Sequence, residues 1–508
     1  MSSWFCWLVR CQVYGGNGAS FSCTYRVSNR HVGFFDVFGN SSPSIQQGFD
    51  IANLLSPRII ILFIFGMVYV IVTPIFEAPD EPAHFARAYG IAEGQFLLKD
   101  HPRDLILFIL HNFEAHRSPE TRILVGYLNK YKSEDSPSRI PNIAYNTSLY
   151  SPVPYLFHAT VIKTIMLMGI SDHQLPLSVY SCRVLSLMLF CLSLAVSFHI
   201  CPLLSWPIFW IAATPMALSQ ASVVSTDPIV FCATIFILAL AIGKTQKYFF
   251  IIGLTISACF LLLTKPPYFP VLLVPLFSLI FIDRAQQKDK GAGIVLAICI
   301  SCFGMFIWNF MVIKYEIYQN SLRFIRFFAE ITLDPSKQLS GILSDPLQLM
   351  KVLWNTFSTK GISLAHQMVG VLGWLDIPLP VWGVILWGML IFLPIFMTEK
   401  PDRQKNSHSN WLGIICISIS ALTAIGLIVS AYMIWMPVGC TIVNLQGRYF
   451  HPIMALLFVG LVLIKPHCFQ LKPEFNRIGA FIMLTAMAVL NLLSVVTLIK
   501  HYEMNVLL

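Results

Sequence analysis

The chain has 508 residues, 56% of them hydrophobic and only 12% charged, with a mean hydropathy of +0.70. Soluble domains carry about 25% charge, so a water-soluble globular protein is excluded and a polytopic membrane protein is indicated. The formal net charge of +9 sits mostly in short loops beside apolar runs, which membrane orientation explains, and no nucleic-acid partner is expected. The thirteen cysteines include one C-x-x-C, Cys299-Ile-Ser-Cys302, inside an apolar run without a second pair. Core packing is expected there, not a zinc site or a disulfide framework.

Residues 1–55, rich in Gly, Ser, Asn and Cys without sustained periodicity, are expected to be a poorly structured cytoplasmic extension. Residues 56–508 then form one transmembrane domain. Apolar runs of spanning length or close to it occur near 58–76, 183–201, 206–225, 228–243, 248–264, 267–283, 291–313, 379–397, 411–434, 450–465 and 479–499. The predicted fold class is thus all-α and polytopic, with about eleven transmembrane helices. The run 152–169 holds His158 and Lys163, and an unpaired lysine at the bilayer centre costs about 3 kcal/mol. It is predicted to be a re-entrant or interfacial helix, entered through Tyr150-Ser-Pro-Val-Pro-Tyr155. The basic loops Lys244–Lys247, Asp283–Lys290 and Glu399–Lys405 should be cytoplasmic, which gives a cytoplasmic N-terminus and an external C-terminus.

Two external loops, about 77–151 and 314–378, are long enough to carry amphipathic helices on the outer leaflet or over the mouth of the bundle. The first has an apolar-periodic piece at Leu105–Leu110. In the second, Leu322, Ile325, Phe328 and Ile331 recur opposite Arg323, Arg326 and Glu330. Asp345-Pro346 then reads as a cap and first-turn proline ahead of Leu349, Met350, Leu353 and Phe357.

The chain is organised around Thr73–Ala88, where Glu77, Asp80 and Glu81 follow the first span within a few residues. Pro79 and Pro82 end one helix and begin another. A helix over Asp80–Glu93, stopped at Gly94, puts Asp80, His84 and Arg87 on one face. Asp80 reads equally as a helix cap, and Arg87 as a snorkelling anchor. Other charges also collect at predicted outer span ends. Lys265 closes a run before Pro266-Pro267, Asp227 sits in Ser225-Thr-Asp-Pro228, and Arg183 begins a run. Gln446-Gly-Arg-Tyr449 opens another run, with the planar Arg448 fork suited to phosphate oxygens and His451 nearby. Capping explains Asp227 without function, and snorkelling does the same for Lys265 and Arg183.

The segments Pro79–Arg87, Tyr150–Tyr155, Thr214-Pro-Met-Ala-Leu218 leading to Ser225-Thr-Asp227, Lys265-Pro-Pro-Tyr268, Gly370-Val-Leu-Gly-Trp-Leu-Asp376 and Gln446-Gly-Arg-Tyr449 carry a resemblance. Together they resemble a bacterial family of polytopic membrane proteins catalogued as a domain of unknown function, itself similar to the GT-C glycosyltransferase superfamily. The resemblance covers roughly residues 58–465. It implies transfer of a sugar from a polyprenyl-phosphate donor to a glycan or glycolipid acceptor of the cell envelope. The setting is the bacterial cytoplasmic (inner) membrane, with the active site facing the periplasm or exterior. It implies acidic catalysis by Asp80 or Glu77, donor-phosphate binding by Lys265, Arg448 and Arg183, and a later site carboxylate at Asp227. By their place beside these, Glu81 is a third candidate acid, and His84, Arg87, Gln446 and Tyr449 are candidate substrate-binding residues. A divalent cation, Mg or Mn, is left open, with Asp80 and His84 at ligand spacing. A lipid-linked glycan polymerase or ligase and a lipid or glycan flippase are the alternatives. Transport, however, predicts charge near the bilayer midplane, whereas charge here gathers at span ends.

Overall fold

A computed structural model describes residues 56–97, 99–112, 137–141, 147–169, 174–281, 290–317, 333–399, 407–466 and 473–506. The expected extension 1–55 and the periodic stretch holding Leu322 to Ile331 lie outside the described residues. Among the described residues the fold is all-helical apart from two short antiparallel ribbons. These pair Asp100–Pro102 with Arg139–Pro141, and Val371–Leu372 with Ile377–Pro378.

Six helical segments are long and apolar enough to cross a membrane: Gln174–Ile200, Lys247–Thr264, Gly291–Lys314, Ser409–Trp435, Gly447–Ile464 and Phe475–Glu503. A seventh arises if the pair Pro202–Ala212 and Pro215–Ala221, bent by 93°, is one span. The expected eleven are therefore not reached. The remaining runs fall on apolar helices of 10–17 residues, and at 1.5 Å per residue such helices fall short of a ~30 Å hydrocarbon core. Proline causes most of the shortening. The run 267–283 begins as a 3₁₀ stretch, Pro266–Leu272, with Pro270 inside it, and leaves a helix only over Leu273–Phe281. The run 379–397 divides into Val381–Met389 and Leu393–Met397, with Pro394 in the first turn of the second piece. The 152–169 run yields a 3₁₀ turn and a twelve-residue helix, Leu156–Leu167, whose His158 Nε2 meets Ser186 Oγ at 2.7 Å.

The bend at Thr214 is held rather than loose. Thr214 caps the second half of the pair by accepting from the Ala217 amide at 3.3 Å. Asn491, on the C-terminal helix Pro473–Val506, donates to the Ala213 carbonyl at 2.9 Å and accepts from the Tyr69 hydroxyl at 3.0 Å. A helix break in an apolar surrounding needs such partners for its freed backbone groups.

Helix α1 (Pro57–Val72) leads into the turn at Thr73–Asp80 and then α2 (Glu81–Ala92), close to the predicted Asp80–Glu93, with Gly94 just beyond at φ +89. Helix α3 (Arg103–Asn112) contains the Leu105–Leu110 piece. It buries Leu105, Ile106, Ile109 and Leu110 against Phe76, Phe85 and Ile162 in a small second core, so its apolar side is covered by protein. Helix α4 (Pro346–Gly370) opens as predicted, with Asp345 accepting from the Leu347 amide at 3.1 Å. Its Leu347, Met350 and Trp354 are exposed, while Val352 and Thr356, on the opposite side, are buried.

Candidate functional site

Four charged side chains from distant segments meet at one end of the bundle. Helix α5 (Asp227–Ile242) begins at Asp227, and Lys265 terminates the span that follows it, Lys247–Thr264. Arg448 lies on the 3₁₀ turn Gly447–Phe450 that starts the next-to-last span. Asp80 stands at the head of α2 in the left-handed region, φ +63, where short polar residues are the non-glycine types best tolerated. Its side chain makes no capping bond; its carboxylate pairs with Arg448 Nη2 instead. The capping reading of Asp80 is thereby replaced by an ion pair across 368 residues.

Arg448 is the hub. Its Nε faces Asp227 Oδ2 at 3.0 Å, and its Nη1 donates to Gln220 Oε1 at 2.9 Å and to the Pro79 carbonyl at 3.2 Å. Asp227 also pairs with Lys265 Nζ, which sits 4.0 Å from the centre of the Tyr449 ring. Two carboxylates thus face two cations. Tyr268 donates to the Tyr449 carbonyl at 2.6 Å and holds the turn that carries Arg448. Helix α4 presses on the same turn: Gln367 Oε1 accepts from the Gly447 amide at 3.0 Å, and a Cβ at Gly447 would lie 2.3 Å from the Leu364 carbonyl oxygen. Only glycine permits that approach.

Beside the cluster lies an aromatic wall. His84 Nδ1 meets the Tyr155 hydroxyl at 2.8 Å, and its ring stacks near that of Tyr150, 6.2 Å away. Burial lowers the His84 imidazole to about 4 against the pull of Asp80 and Asp227, and the same burial pushes the Tyr150 hydroxyl well above its ordinary value. Both groups are neutral at physiological pH. Arg87 does not join Asp80 and His84: its Nη2 donates to the carbonyls of Phe96 at 3.0 Å and Tyr150 at 3.3 Å. Gln446 lies two residues before Arg448, with its Oε1 buried and lacking a hydrogen-bond partner.

Two expected site residues form a separate pair. Arg183 binds Glu81 bidentately, Nε to Oε1 at 2.8 Å and Nη2 to Oε2 at 2.6 Å, with both side chains fully buried. Arg183 also donates to the carbonyls of Thr73 at 2.6 Å and Pro74 at 2.8 Å. Glu81 accepts from the amides of Phe76 at 3.1 Å and Val224 at 3.2 Å. This pair fastens the Thr73–Asp80 turn that aims Asp80. Arg183 does not begin its helix, which starts nine residues earlier at Gln174. The early turns are polar enough to escape an apolar-run search, and the helix packs against α1 and Leu156–Leu167. Glu77 is buried as well, its carbonyl 3.4 Å from the Tyr502 hydroxyl.

Among the described residues no group of three or more His, Cys, Asp or Glu side chains could hold a metal ion. Asp80 and Asp227 are each engaged by a cation, and His84 Nδ1 by Tyr155. The pair Asp80 and His84 therefore does not fit a divalent cation. Gln220 is the member that sequence reasoning missed. Its signal was an amide inside the otherwise apolar stretch that follows Thr214-Pro215.

The family model described as "Predicted membrane protein (DUF2142)" matches residues 63–457, a span that includes every member of the ion cluster. Neither the curated proteins nor the solved structures yield a match.

Proposed function

The chain belongs to the DUF2142 family of predicted membrane proteins, and on that premise we propose that it is a glycosyltransferase of GT-C type. It moves a sugar from a polyprenyl-phosphate carrier to a glycan or glycolipid acceptor on the outer face of the cytoplasmic membrane. The observation that carries the reading is the meeting of Asp80, Asp227, Lys265 and Arg448 at the ends of apolar helices. A lipid-borne sugar phosphate would present its charged headgroup at that level.

In this reading the acceptor oxygen attacks the anomeric carbon while Asp80 takes the hydroxyl proton. The bond from that carbon to the phosphate oxygen breaks, and its electron pair leaves on the phosphate, whose charge Lys265 and Arg448 stabilise. Asp227 holds those two cations in register. A single displacement inverts the anomeric centre, so a product that retained the donor's configuration would exclude it. The finer topology belongs to the same proposal: eleven crossings with a cytoplasmic N-terminus, the short helices being accommodated by local thinning of the bilayer around the site.

The test is transfer by the purified full chain in vesicles, supplied with a panel of polyprenyl-phosphate sugars and envelope glycans. At least one donor should be used, and Asp80→Asn should slow its transfer about 100-fold or more. Arg448→Ala should do the same. Wild-type rates in both variants, or transfer from no donor, would overturn the reading.

A further inference from the structure

We propose that Asp80 is the resident counter-ion of the phosphate site: the phosphate enters by taking Arg448 from Asp80, and the released carboxylate becomes the proton acceptor. This rests on the preceding reading that phosphate lies at Lys265 and Arg448. It adds an order of events, with donor binding switching on the acceptor's base.

Both terminal nitrogens of the Arg448 guanidinium are occupied, Nη1 by Gln220 and the Pro79 carbonyl and Nη2 by Asp80, while Nε lies 3.0 Å from Asp227 Oδ2 as an ion pair without a hydrogen bond. An anion that is to receive its planar fork must therefore displace a partner. Of the two carboxylates, Asp227 is the more deeply held. Its side chain is 12% exposed against 26% for Asp80, and it is shared between Lys265 and Arg448. Asp80 is the more exposed of the two, on a backbone of φ +63 that carries its carboxylate toward Arg448 without any capping bond.

Charge points the same way. Two cations are balanced by two carboxylates, so a phosphate added beside an intact Asp80 pair would bring like charges together. Departure of Asp80 from Arg448 restores the balance. In and around the cluster, buried polar atoms lack hydrogen-bond partners: Arg448 Nε itself, Gln220 Nε2, Thr226 Oγ1, Thr264 Oγ1 and Gln446 Oε1. Gln220 binds Arg448 directly, Thr226 and Thr264 adjoin Asp227 and Lys265 in the chain, and Gln446 begins the Arg448 turn. Orphaned polar atoms of this kind mark a place that a polar headgroup completes.

The experiment titrates the purified full chain in detergent micelles with a short isoprenyl monophosphate, and with the matching uncharged isoprenol. Asparagine tolerates φ +63 as aspartate does, so Asp80→Asn changes the charge and not the backbone. It should bind the monophosphate roughly tenfold tighter than wild type, with isoprenol binding unchanged. Adding Arg448→Ala to it should abolish the gain. Asp80→Gly, free of strain at positive φ, should repeat the gain if the asparagine variant folds poorly. Inorganic phosphate as a parallel probe reads the source. A gain with the lipid phosphate alone assigns a headgroup, a gain with both assigns the phosphate group itself, and either supports the exchange.

Equal or weaker monophosphate binding by Asp80→Asn overturns the exchange. If wild type still binds and Arg448→Ala does not, the transferase reading survives that result. If no form binds monophosphate, both readings fall together.

Discussion

Glu81 and Arg183 illustrate what a buried ion pair asks of its neighbours. The two satisfy each other and five nearby backbone groups, so removing one leaves an uncompensated charge out of water. Glu81→Gln or Arg183→Met should therefore destabilise the protein by about 3–5 kcal/mol, read as thermal unfolding in detergent. Exposed-site substitutions such as Lys337→Ala should leave it near wild type. His84 gives a pH signature. It stays neutral in the folded protein down to about pH 4, whereas an unfolded imidazole takes its proton near pH 6.5. The unfolded chain then binds more protons between these values, so stability is complete above about pH 6.5 and lost as pH falls toward 4. His84→Asn should flatten that part of the unfolding profile. The charged members of the site were legible because charge at the ends of apolar runs needs a reason. Which of Asp80 and Glu81 faces the site was not. They are neighbours in the chain, and only the left-handed backbone at Asp80 sends the one to Arg448 and the other to Arg183. Gln220 was hidden because a lone amide in an apolar run has no pattern.

At the scale of elements, α4 and the Arg448 turn behave as one unit. Gly447→Ala would drive a methyl group into the Leu364 carbonyl, so it should separate α4 from the turn and lower activity far more than stability. Comparing transfer rates with unfolding temperature separates the two effects. The exposed stripe Leu347, Met350 and Trp354 fits one of the two readings of the second loop, a helix lying along lipid. A spin label at Trp354→Cys should be relaxed by oxygen dissolved in the bilayer, whereas one at Lys360→Cys should respond mainly to an aqueous relaxant. The cap at Asp345-Pro346 was readable from two residues, because first-turn proline and an aspartate cap are local rules. For α3 the sequence left lipid and protein cover equally open, since periodicity states that a face is buried and not what buries it, and protein covers it. Which apolar runs form helices of full spanning length was least legible, because composition could not show where Pro270 or Pro394 cuts an apolar run into pieces.

At the scale of the whole molecule, composition alone placed the chain in a membrane, and the family match agrees. The convergence of Asp80, Asp227, Lys265 and Arg448 on one end of the bundle followed from counting crossings from basic loops, and the contacts among the four now stand independently of that count. Which membrane face that end meets is a separate prediction. Single cysteines at positions 80, 227 and 448 should react from outside intact cells with an impermeant thiol reagent, and reaction only after permeabilisation would reverse the proposed orientation. The pairing of residues 80 and 448 also bears on synthesis. Asp80 leaves the ribosome 368 residues ahead of its arginine, so the nascent chain must hold its first acidic turn unfinished through most of translation. A polypeptide arrested before the penultimate span carries the acids without the guanidinium that joins them. The Asp80–Arg448 pair can therefore form only after most of the chain has been made.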